Sequence, residues 1–192
     1  MIYLASASPR RRELLRQLGF EFEAMPSNIL EVRQASESPL EYVTRVARDK
    51  SRYVAKLVKQ REMPAHPVLG ADTEVVLDDE VLGKPRDRAH GMDMLRRLSG
   101  RSHEVLSAVC VIYREAERAA LSTNRVTFDA LTEQEITQYW DTGEPEGKAG
   151  AYAIQGYAAA FIARLEGSYS GVMGLPLRET AAILKELGKE GM

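Results

Sequence analysis

The 192-residue sequence contains a single cysteine and lacks the signatures of several enzyme classes. Cys110 lies in an apolar run and has no internal partner for a disulfide, which favours a reducing, cytoplasmic compartment. The pattern GxxxxGK[ST] does not occur, which excludes a Walker-type ATPase, and no GxSxG marks a hydrolase serine. His66, His90 and His103 lack metal-ligand spacing, and a zinc site built on cysteines is excluded.

A surplus of positive charge and a long apolar segment are also absent. The net charge of −2 and the pI near 6.0 argue against a protein that binds nucleic acid or an anionic membrane through a basic surface. We expect no membrane span and no signal peptide, because no window is apolar enough. The composition, 44% hydrophobic and 28% charged, is typical of a globular protein, and we expect a single domain over residues 1–192.

Strand and helix signals alternate along the chain, which indicates an α/β protein. Two long strand-like runs joined by a charged turn predict an antiparallel hairpin, and Thr132 with Glu135 predicts a capping box. The predicted helices cover residues 9–18, 39–57, 86–98, 132–140 and a last helix to about residue 187. The predicted strands cover residues 2–5, 20–25, 68–71, 104–113, 118–130 and 159–165, and residues 73–77 continue extended after the strand at 68–71.

The N-terminal segment MIYLASASPRR passes from a buried strand directly into a helix start. Ser8 is placed to cap that helix and Pro9 to occupy its first position. The free N–H groups of a helix start attract anions, and Arg10 and Arg11 add donors that match phosphate oxygens. The alternative is an ordinary capped helix with solvated arginines.

Two cations, Arg11 and Lys50, interrupt the apolar faces of their helices. Arg11 lies in line with Leu15 and Leu18 on the apolar side of its helix, which places it inward. Lys50 fills a gap in the apolar stripe of the 39–57 helix. Its ammonium either reaches water along a buried stem or points into a pocket, and the sequence does not decide between the two.

Asp72 follows the apolar residues 68–71, and a carboxylate at the end of a buried strand is where ligands usually sit in α/β sheets. The alternative is a solvated loop aspartate, and Glu74, two residues on, is expected to be exposed. Lys84 and Lys148 lie in glycine-containing loops, the second of which ends at Gln155. The residues without a structural explanation are cations and carboxylates, a set that suits a polyphosphate with Mg²⁺ or Mn²⁺: Arg10, Arg11, Glu31, Lys50, Asp72, Lys84 and Lys148.

The chain resembles the Maf-type nucleoside triphosphate pyrophosphatases, because it contains six of their motifs in the same order. They are SASPRR, GADT, LGKPRD, LSGRSH, EPEGKAGAYAIQG and SYSGVMGLPL, from about Tyr3 to Leu177. The resemblance implies a mixed α/β fold with a strongly twisted central sheet flanked by helices and a cleft between two lobes. It also implies metal-dependent hydrolysis of a nucleoside triphosphate to the monophosphate and pyrophosphate, and it allows a homodimer.

The resemblance further implies a role for individual residues of this chain. Asp72 matches the general base of the family, which works alone or through a metal-bound water. Glu31 matches a cleft carboxylate that serves as a metal ligand together with Asp72. The phosphate-holding positions are Ser6, Arg10, Arg11, Lys50 and Lys84, and the positions of base selection are Arg10, Thr73 and Gln155.

The segment AYAIQG resembles the branch of the family that prefers dTTP and UTP. A glutamine amide pairs with the adjacent carbonyl and N–H of a pyrimidine, which fits that preference. The alternatives are a 7-methyl-GTP pyrophosphatase of the same fold and a nucleotide-binding regulator of cell division without turnover. The sequence departs from the family pattern at Gly147, Ala153 and Glu74, where Asp, Gly and an apolar residue are usual.

Overall fold

The computed structural model describes residues 1–190 and the side chains of residues 1–188. Residues 191 and 192 of the predicted domain lie outside the described residues. The elements in chain order are β1 (Ile2–Leu4), α1 (Pro9–Gln17), β2 (Phe22–Ala24), α2 (Pro39–Gln60), β3 (Val68–Leu77), β4 (Glu80–Val81), α3 (Arg88–Leu98), β5 (Ser102–Tyr113), β6 (Ala116–Phe128), α4 (Glu133–Asp141), β7 (Ile162–Glu166), α5 (Tyr169–Met173) and α6 (Leu177–Glu190).

The strands form a mixed seven-stranded sheet in the order β2-β1-β3-β5-β6-β7, with β4 paired to the end of β3. β1 pairs in parallel with both of its neighbours, whereas β3, β5, β6 and β7 pair antiparallel. The predicted hairpin is confirmed as β5 and β6, whose register runs from Ser102 opposite Thr127 to Tyr113 opposite Ala116. The prediction of a mixed α/β sheet flanked by helices is therefore confirmed.

Helix α2 covers one face of the sheet. Its residues Val43 and Ala47 pack against Val76 of β3 and Cys110 of β5. Alternate residues of a strand point to opposite faces, so the neighbouring residues of β3 pack with α1, α3, α4 and α6 in the larger cluster on the other side. Cys110 is fully buried, as its apolar run predicts.

The helix starts follow the sequence signals. Ser8 Oγ accepts a hydrogen bond from the backbone N–H of Arg11, with Pro9 as the first helical residue of α1. Ser38 and Thr132 cap α2 and α4, and both helices have a complete capping box. These local rules place the start of α1 at Pro9, shortly after β1, and the start of α2 at Pro39.

Three predictions about the elements need correction. Asp72 lies inside β3 and not after it, because β5 continues to pair with β3 past this point, with Asp72 opposite Ala108. The strand predicted at 159–165 is β7 at Ile162–Glu166, since residues 157–161 form a 3₁₀ helix. The short helix α5, capped by Ser168, was not predicted. No helix among residues 1–190 is long and apolar enough to cross a membrane.

Candidate active site

A cavity of about 730 Å³ opens beside β1 and β3, within the size range of small-molecule sites. It is lined by segments from the whole length of the chain: the start of α1, the loop before α2, the middle of β3, the loop after β4, residues 147–155 and the end of α5. Every site residue predicted from the sequence lines this one cavity: Ser6, Arg10, Arg11, Glu31, Lys50, Asp72, Thr73, Lys84 and Gln155.

The arginines of α1 are anchored to the carbonyl end of α5. Arg10 Nε donates to the carbonyl of Met173 at 3.2 Å, and Arg11 Nε donates to that of Gly174 at 2.8 Å. The remaining contacts of Arg11 are long, 3.4 Å from Nη1 to Ser6 Oγ and 3.4 Å from Nη2 to Thr73 Oγ1. Each guanidinium is therefore held by one nitrogen, and its outer nitrogens remain weakly engaged at the cavity wall, as a phosphate-binding fork requires.

Burial lowers the pKa of both arginines, and their mutual repulsion adds to this at Arg10. Three carboxylates oppose the effect at Arg11: those of Asp72, Glu31 and Glu74. Both guanidiniums stay charged, because an arginine side chain is not deprotonated in proteins near neutral pH. The cavity thus has a cationic wall formed by α1, opposite an acidic group on β3.

Lys50 points into the cavity and not to water. Its residue is only 6% exposed, and its Nζ lies 2.8 Å from Asp72 Oδ1 and 2.9 Å from Glu31 Oε2. Asp72 is equally buried, whereas Glu31 sits on the more exposed loop before α2. The lysine joins the two carboxylates that the sequence predicts as metal ligands. It fixes one oxygen of Asp72, while the second oxygen has no hydrogen-bond partner among the described residues.

The expectation that Glu74 is exposed is wrong. It follows Asp72 by two positions on β3, so both side chains share the face that α2 covers, and Glu74 is 8% exposed. Burial and the neighbouring charge of Asp72 raise the pKa of Glu74 to about 8, although Lys50 opposes this. Its Oε2 has no hydrogen-bond partner in the part of the chain that the structure describes. Burial and, after it, the charges of Glu74, Asp72 and Glu31 raise the pKa of Tyr42 to about 12.

The glycine-containing loops complete the opposite wall. The backbone N–H of Gly150 donates to the carbonyl of Gly83 at 2.8 Å, which ties the loop of Lys148 to that of Lys84. Gly150 has φ of +66°, and a Cβ there would lie 2.9 Å from Val75. Only glycine allows this contact without strain, so the two lysine-bearing loops meet over β3 at the cavity edge.

The donor set at Asp72 fits a hard divalent cation. The described residues contain no cluster of three or more side chains of the metal-ligating types. Mg²⁺ needs no such cluster, since it commonly takes one or two carboxylates and completes its shell with water and substrate phosphates. The buried, unpartnered Asp72 Oδ2 supplies one such ligand at the cavity, and the Glu31 carboxylate lies on the other side of the Lys50 ammonium.

The comparison with protein families agrees with this geometry. The family model described as Maf-like protein matches residues 1–187, which include every residue placed at the cavity above. The chain belongs to the Maf-like family. Curated relatives of this Maf-like chain match it over nearly their full length.

Three such relatives are each named dTTP/UTP pyrophosphatase. That of Alkalilimnicola ehrlichii is 54% identical over 96% of this chain and 92% of its own. That of Cupriavidus pinatubonensis is 51% identical over 96% of each chain, and that of Aliivibrio fischeri is 45% identical over 96% of this chain and 97% of its own. A solved structure, protein VC0702 from Vibrio cholerae, is 14% identical and covers 63% of this chain and 59% of that one, with a TM-score of 0.39.

Sequence reasoning missed several parts of the cavity wall in this Maf-like chain. The carbonyls of Met173 and Gly174 carry no side-chain signal, and the helix that presents them is only five residues long. The spacing of Glu74 from Asp72 places both on one face of a strand, but it does not tell which face a helix covers. Tyr42, one helical turn before Val46, reads as a core residue from its spacing alone.

Proposed function

We propose that this protein hydrolyses dTTP and UTP to the nucleoside monophosphate and pyrophosphate. The observation that carries the proposal is the convergence of four cations and a buried, half-free carboxylate on one cavity: Arg10, Arg11, Lys50, Lys84 and Asp72. A triphosphate carries several negative charges, and a cavity with this lining neutralises them. The relatives at 45–54% identity bear the name of this activity.

The chain's own residues supply most of the chemistry. The start of α1 with Ser6, Arg10 and Arg11 binds phosphate oxygens and orients the chain of phosphates. The Asp72 carboxylate accepts the proton of the water that attacks the α-phosphorus, while Lys50 holds its Oδ1 in place. The bond between the α-phosphorus and the bridging oxygen breaks, and pyrophosphate leaves with its charge neutralised by arginine and lysine side chains.

A divalent cation, Mg²⁺ or Mn²⁺, is part of the proposal. Asp72 and Glu31 would hold it, with substrate phosphate oxygens in the rest of its shell. When bound, such an ion withdraws electron density from the phosphates and makes the phosphorus a better electrophile.

Base selection is proposed to rest on Gln155, Thr73 and Arg10. Gln155 is exposed at the cavity rim, where its amide offers one donor and one acceptor to a base edge. Uracil and thymine present a carbonyl next to an N–H, which is the complementary pattern. A purine methylated at position 7 does not present that pair at the same distance from the phosphates.

The test is steady-state kinetics with dTTP, UTP and 7-methyl-GTP measured side by side under Mg²⁺. We expect kcat/KM for dTTP and UTP to exceed that for 7-methyl-GTP by at least about tenfold, the discrimination that one or two lost hydrogen bonds give. A preference for 7-methyl-GTP would overturn the assignment to pyrimidine nucleotides and leave the pyrophosphatase reaction in place.

A binding protein without turnover is separated by Asp72→Asn. The variant loses the proton acceptor, so we expect kcat to fall by about 10²–10⁴-fold while nucleotide binding persists. Asp79→Asn, in the exposed turn after β3, is the matched control and should keep full activity. Nucleotide binding without pyrophosphate release by the unmutated protein would instead favour the regulator.

Other expectations from the sequence stay predictions. They are a single domain, action in the cytoplasm, a homodimer and the absence of a nucleic-acid partner. Light scattering during gel filtration at micromolar concentration measures the oligomeric state, and a monomer mass would overturn the homodimer.

A further inference from the structure

Gln155 lies on a segment that the rest of the chain holds at two points. Residues 152–155 line the cavity, and the backbone on either side of Gln155 is bonded to α4 and to the loop after it. On the near side, the N–H of Ala153 donates to the hydroxyl of Tyr139 at 3.2 Å. On the far side, the N–H of Tyr157 donates to Glu144 Oε2 at 2.9 Å, and that of Ala158 donates to Oε1 at 3.3 Å.

The hydrogen bonds on the two sides of Gln155 belong to one network. The hydroxyl of Tyr139 donates to Glu144 Oε1 at 2.7 Å, so one hydrogen-bond chain joins Ala153 to Tyr157 and Ala158 through two side chains. Tyr139 is fully buried, and its ring packs against those of Tyr157 and Phe161. Burial and the adjacent Glu144 raise its pKa, so the hydroxyl keeps its proton and remains the donor to the carboxylate.

The close approach of Glu144 to the segment is specific to glycine at position 156. A Cβ on Gly156 would lie 1.9 Å from Glu144 Oε2, well inside any real contact. The N–H of Gly156 in turn donates to the carbonyl of Ala153 at 3.0 Å and closes a tight turn around Gln155. The direction in which Gln155 leaves the backbone therefore depends on this turn, and the turn on Tyr139 and Glu144.

We propose that Tyr139 and Glu144 are positioning residues for base selection, which hold the turn at residues 153–156 so that Gln155 meets the base at a fixed distance from the phosphate-binding end of the cavity. This rests on the proposed function. Neither residue lines the cavity, so both act through the turn. The cations Arg10, Arg11, Lys50 and Lys84 lie on other elements, whereas the Glu144 carboxylate acts on Lys148 of the cavity wall, whose pKa it raises against the larger effect of burial.

The test uses Tyr139→Phe, with Glu144→Gln as a second variant that keeps the side-chain shape and removes one acceptor. Tyr157→Phe is the matched control, because its ring also packs on Tyr139 and its hydroxyl has no hydrogen-bond partner among residues 1–190. Hydrogen exchange of the amides of Ala153, Tyr157 and Ala158 reports the turn without any nucleotide. We expect faster exchange in both variants and unchanged exchange in the control.

The functional readout is the ratio of kcat/KM for dTTP to that for dCTP and dGTP. We expect this ratio to fall by about fivefold or more in both variants, through a KM for dTTP that rises about tenfold with kcat changed less than about threefold. A purely structural role would lower the melting temperature and the active fraction and leave the ratio and KM unchanged. That outcome, with faster amide exchange, would overturn the inference.

Selectivity is also measured without turnover, as the ratio of the dissociation constants of the α,β-methylene analogues of dCTP and dGTP to that of the dTTP analogue. A wild-type protein that binds the analogues selectively but hydrolyses none of the substrates would overturn the proposed function, while the variants would still test base selection. A wild-type ratio retained in both variants would overturn the inference and leave the proposed function standing.

Discussion

Lys50 occupies a position on α2 whose neighbours along the helix face are apolar, yet its ammonium contacts two carboxylates. Taking such a pair out of water costs several kcal/mol, which close contacts offset only in part. A buried pair of this kind is a poor source of stability, and an apolar residue would suit the α2 face better. Its presence is explained by the cavity, where Lys50 fixes Asp72 and adds positive charge for a phosphate.

His103 gives a pH-dependent prediction at the residue scale. It is 3% exposed on β5, bonded through Nε2 to the hydroxyl of Tyr152, and burial lowers its pKa to about 4. Between pH 6.5 and pH 4 the unfolded chain binds a proton at this position that the folded chain does not. The free energy of unfolding therefore falls as the pH falls through this window, by about 2 kcal/mol from pH 7 to pH 5.

Urea unfolding of the wild type and of His103→Gln at pH 7 and pH 5 measures this effect. The variant should lose that part of the acid sensitivity, whatever its stability at pH 7. His90→Gln, which changes a histidine outside the core, should retain the wild-type difference between the two pH values. An equal acid loss in His103→Gln would contradict the assignment.

The residues of the site were predictable where a charged side chain broke a pattern. Arg11 and Lys50 stand on apolar faces, and both line the cavity. Spacing alone left two orientations open for Lys50, because the choice depends on carboxylates that come from β3 and from the loop before α2. The buried state of Glu74 was not predictable, since it depends on which face of β3 the helix α2 covers.

At the scale of elements, the contact of α2 with β3 sets the geometry of the charged pair. Gly70 lies two residues before Asp72 on the same face, and the backbone of α2 passes directly over it. A Cβ at this position would lie 2.6 Å from the carbonyl oxygen of Ala47 and 2.7 Å from the backbone nitrogen of Ser51. The distance between Lys50 and Asp72 therefore depends on glycine at position 70, which lets α2 approach β3 closely.

Gly70→Ala is expected to push α2 away from β3. We expect a loss of about 1–3 kcal/mol in the free energy of unfolding, as for other overpacked sites, and a fall in kcat of about tenfold or more. Chemical denaturation and steady-state kinetics measure the two effects. Gly188→Ala in α6, where no atom of the described residues lies within 4 Å of the added methyl group, should keep the activity and raise the free energy of unfolding by up to about 1 kcal/mol, because alanine favours a helix more than glycine does. Full activity in Gly70→Ala would show that the spacing is not critical.

Long elements with regular patterns were predictable, and short ones were not. The capping boxes and the hairpin of β5 and β6 follow from local rules, and the structure has both. The five-residue helix α5 has too few residues for a periodic pattern. The polar Asp72 interrupts an apolar run and wrongly indicated the end of a strand. The strand continues because β5 pairs with it past this residue, and pairing decides where a strand ends.

At the scale of the whole molecule, the cavity is assembled from segments between residues 5 and 174. A ligand that binds them together stabilises the folded chain as a unit, by RT ln(1 + [L]/Kd). At a concentration of 100 Kd this is about 2.7 kcal/mol, which raises the melting temperature of a chain of this size by about 5–10 °C.

Thermal unfolding with α,β-methylene-dUTP and Mg²⁺ checks this expectation. Deoxyuridine at the same concentration is the control, and it should raise the melting temperature by much less, because the cations of the cavity bind the phosphates. An equal rise with the nucleoside alone would show that the cationic wall contributes little to binding.

In the proposed reaction, water attacks the α-phosphorus of a triphosphate held in this cavity. Hydrolysis of dTTP in H₂¹⁸O with Mg²⁺, followed by mass spectrometry of the products, tests it most directly. We predict one ¹⁸O atom in dTMP and none in pyrophosphate. Label in the pyrophosphate, or formation of dTDP and phosphate, would contradict the account.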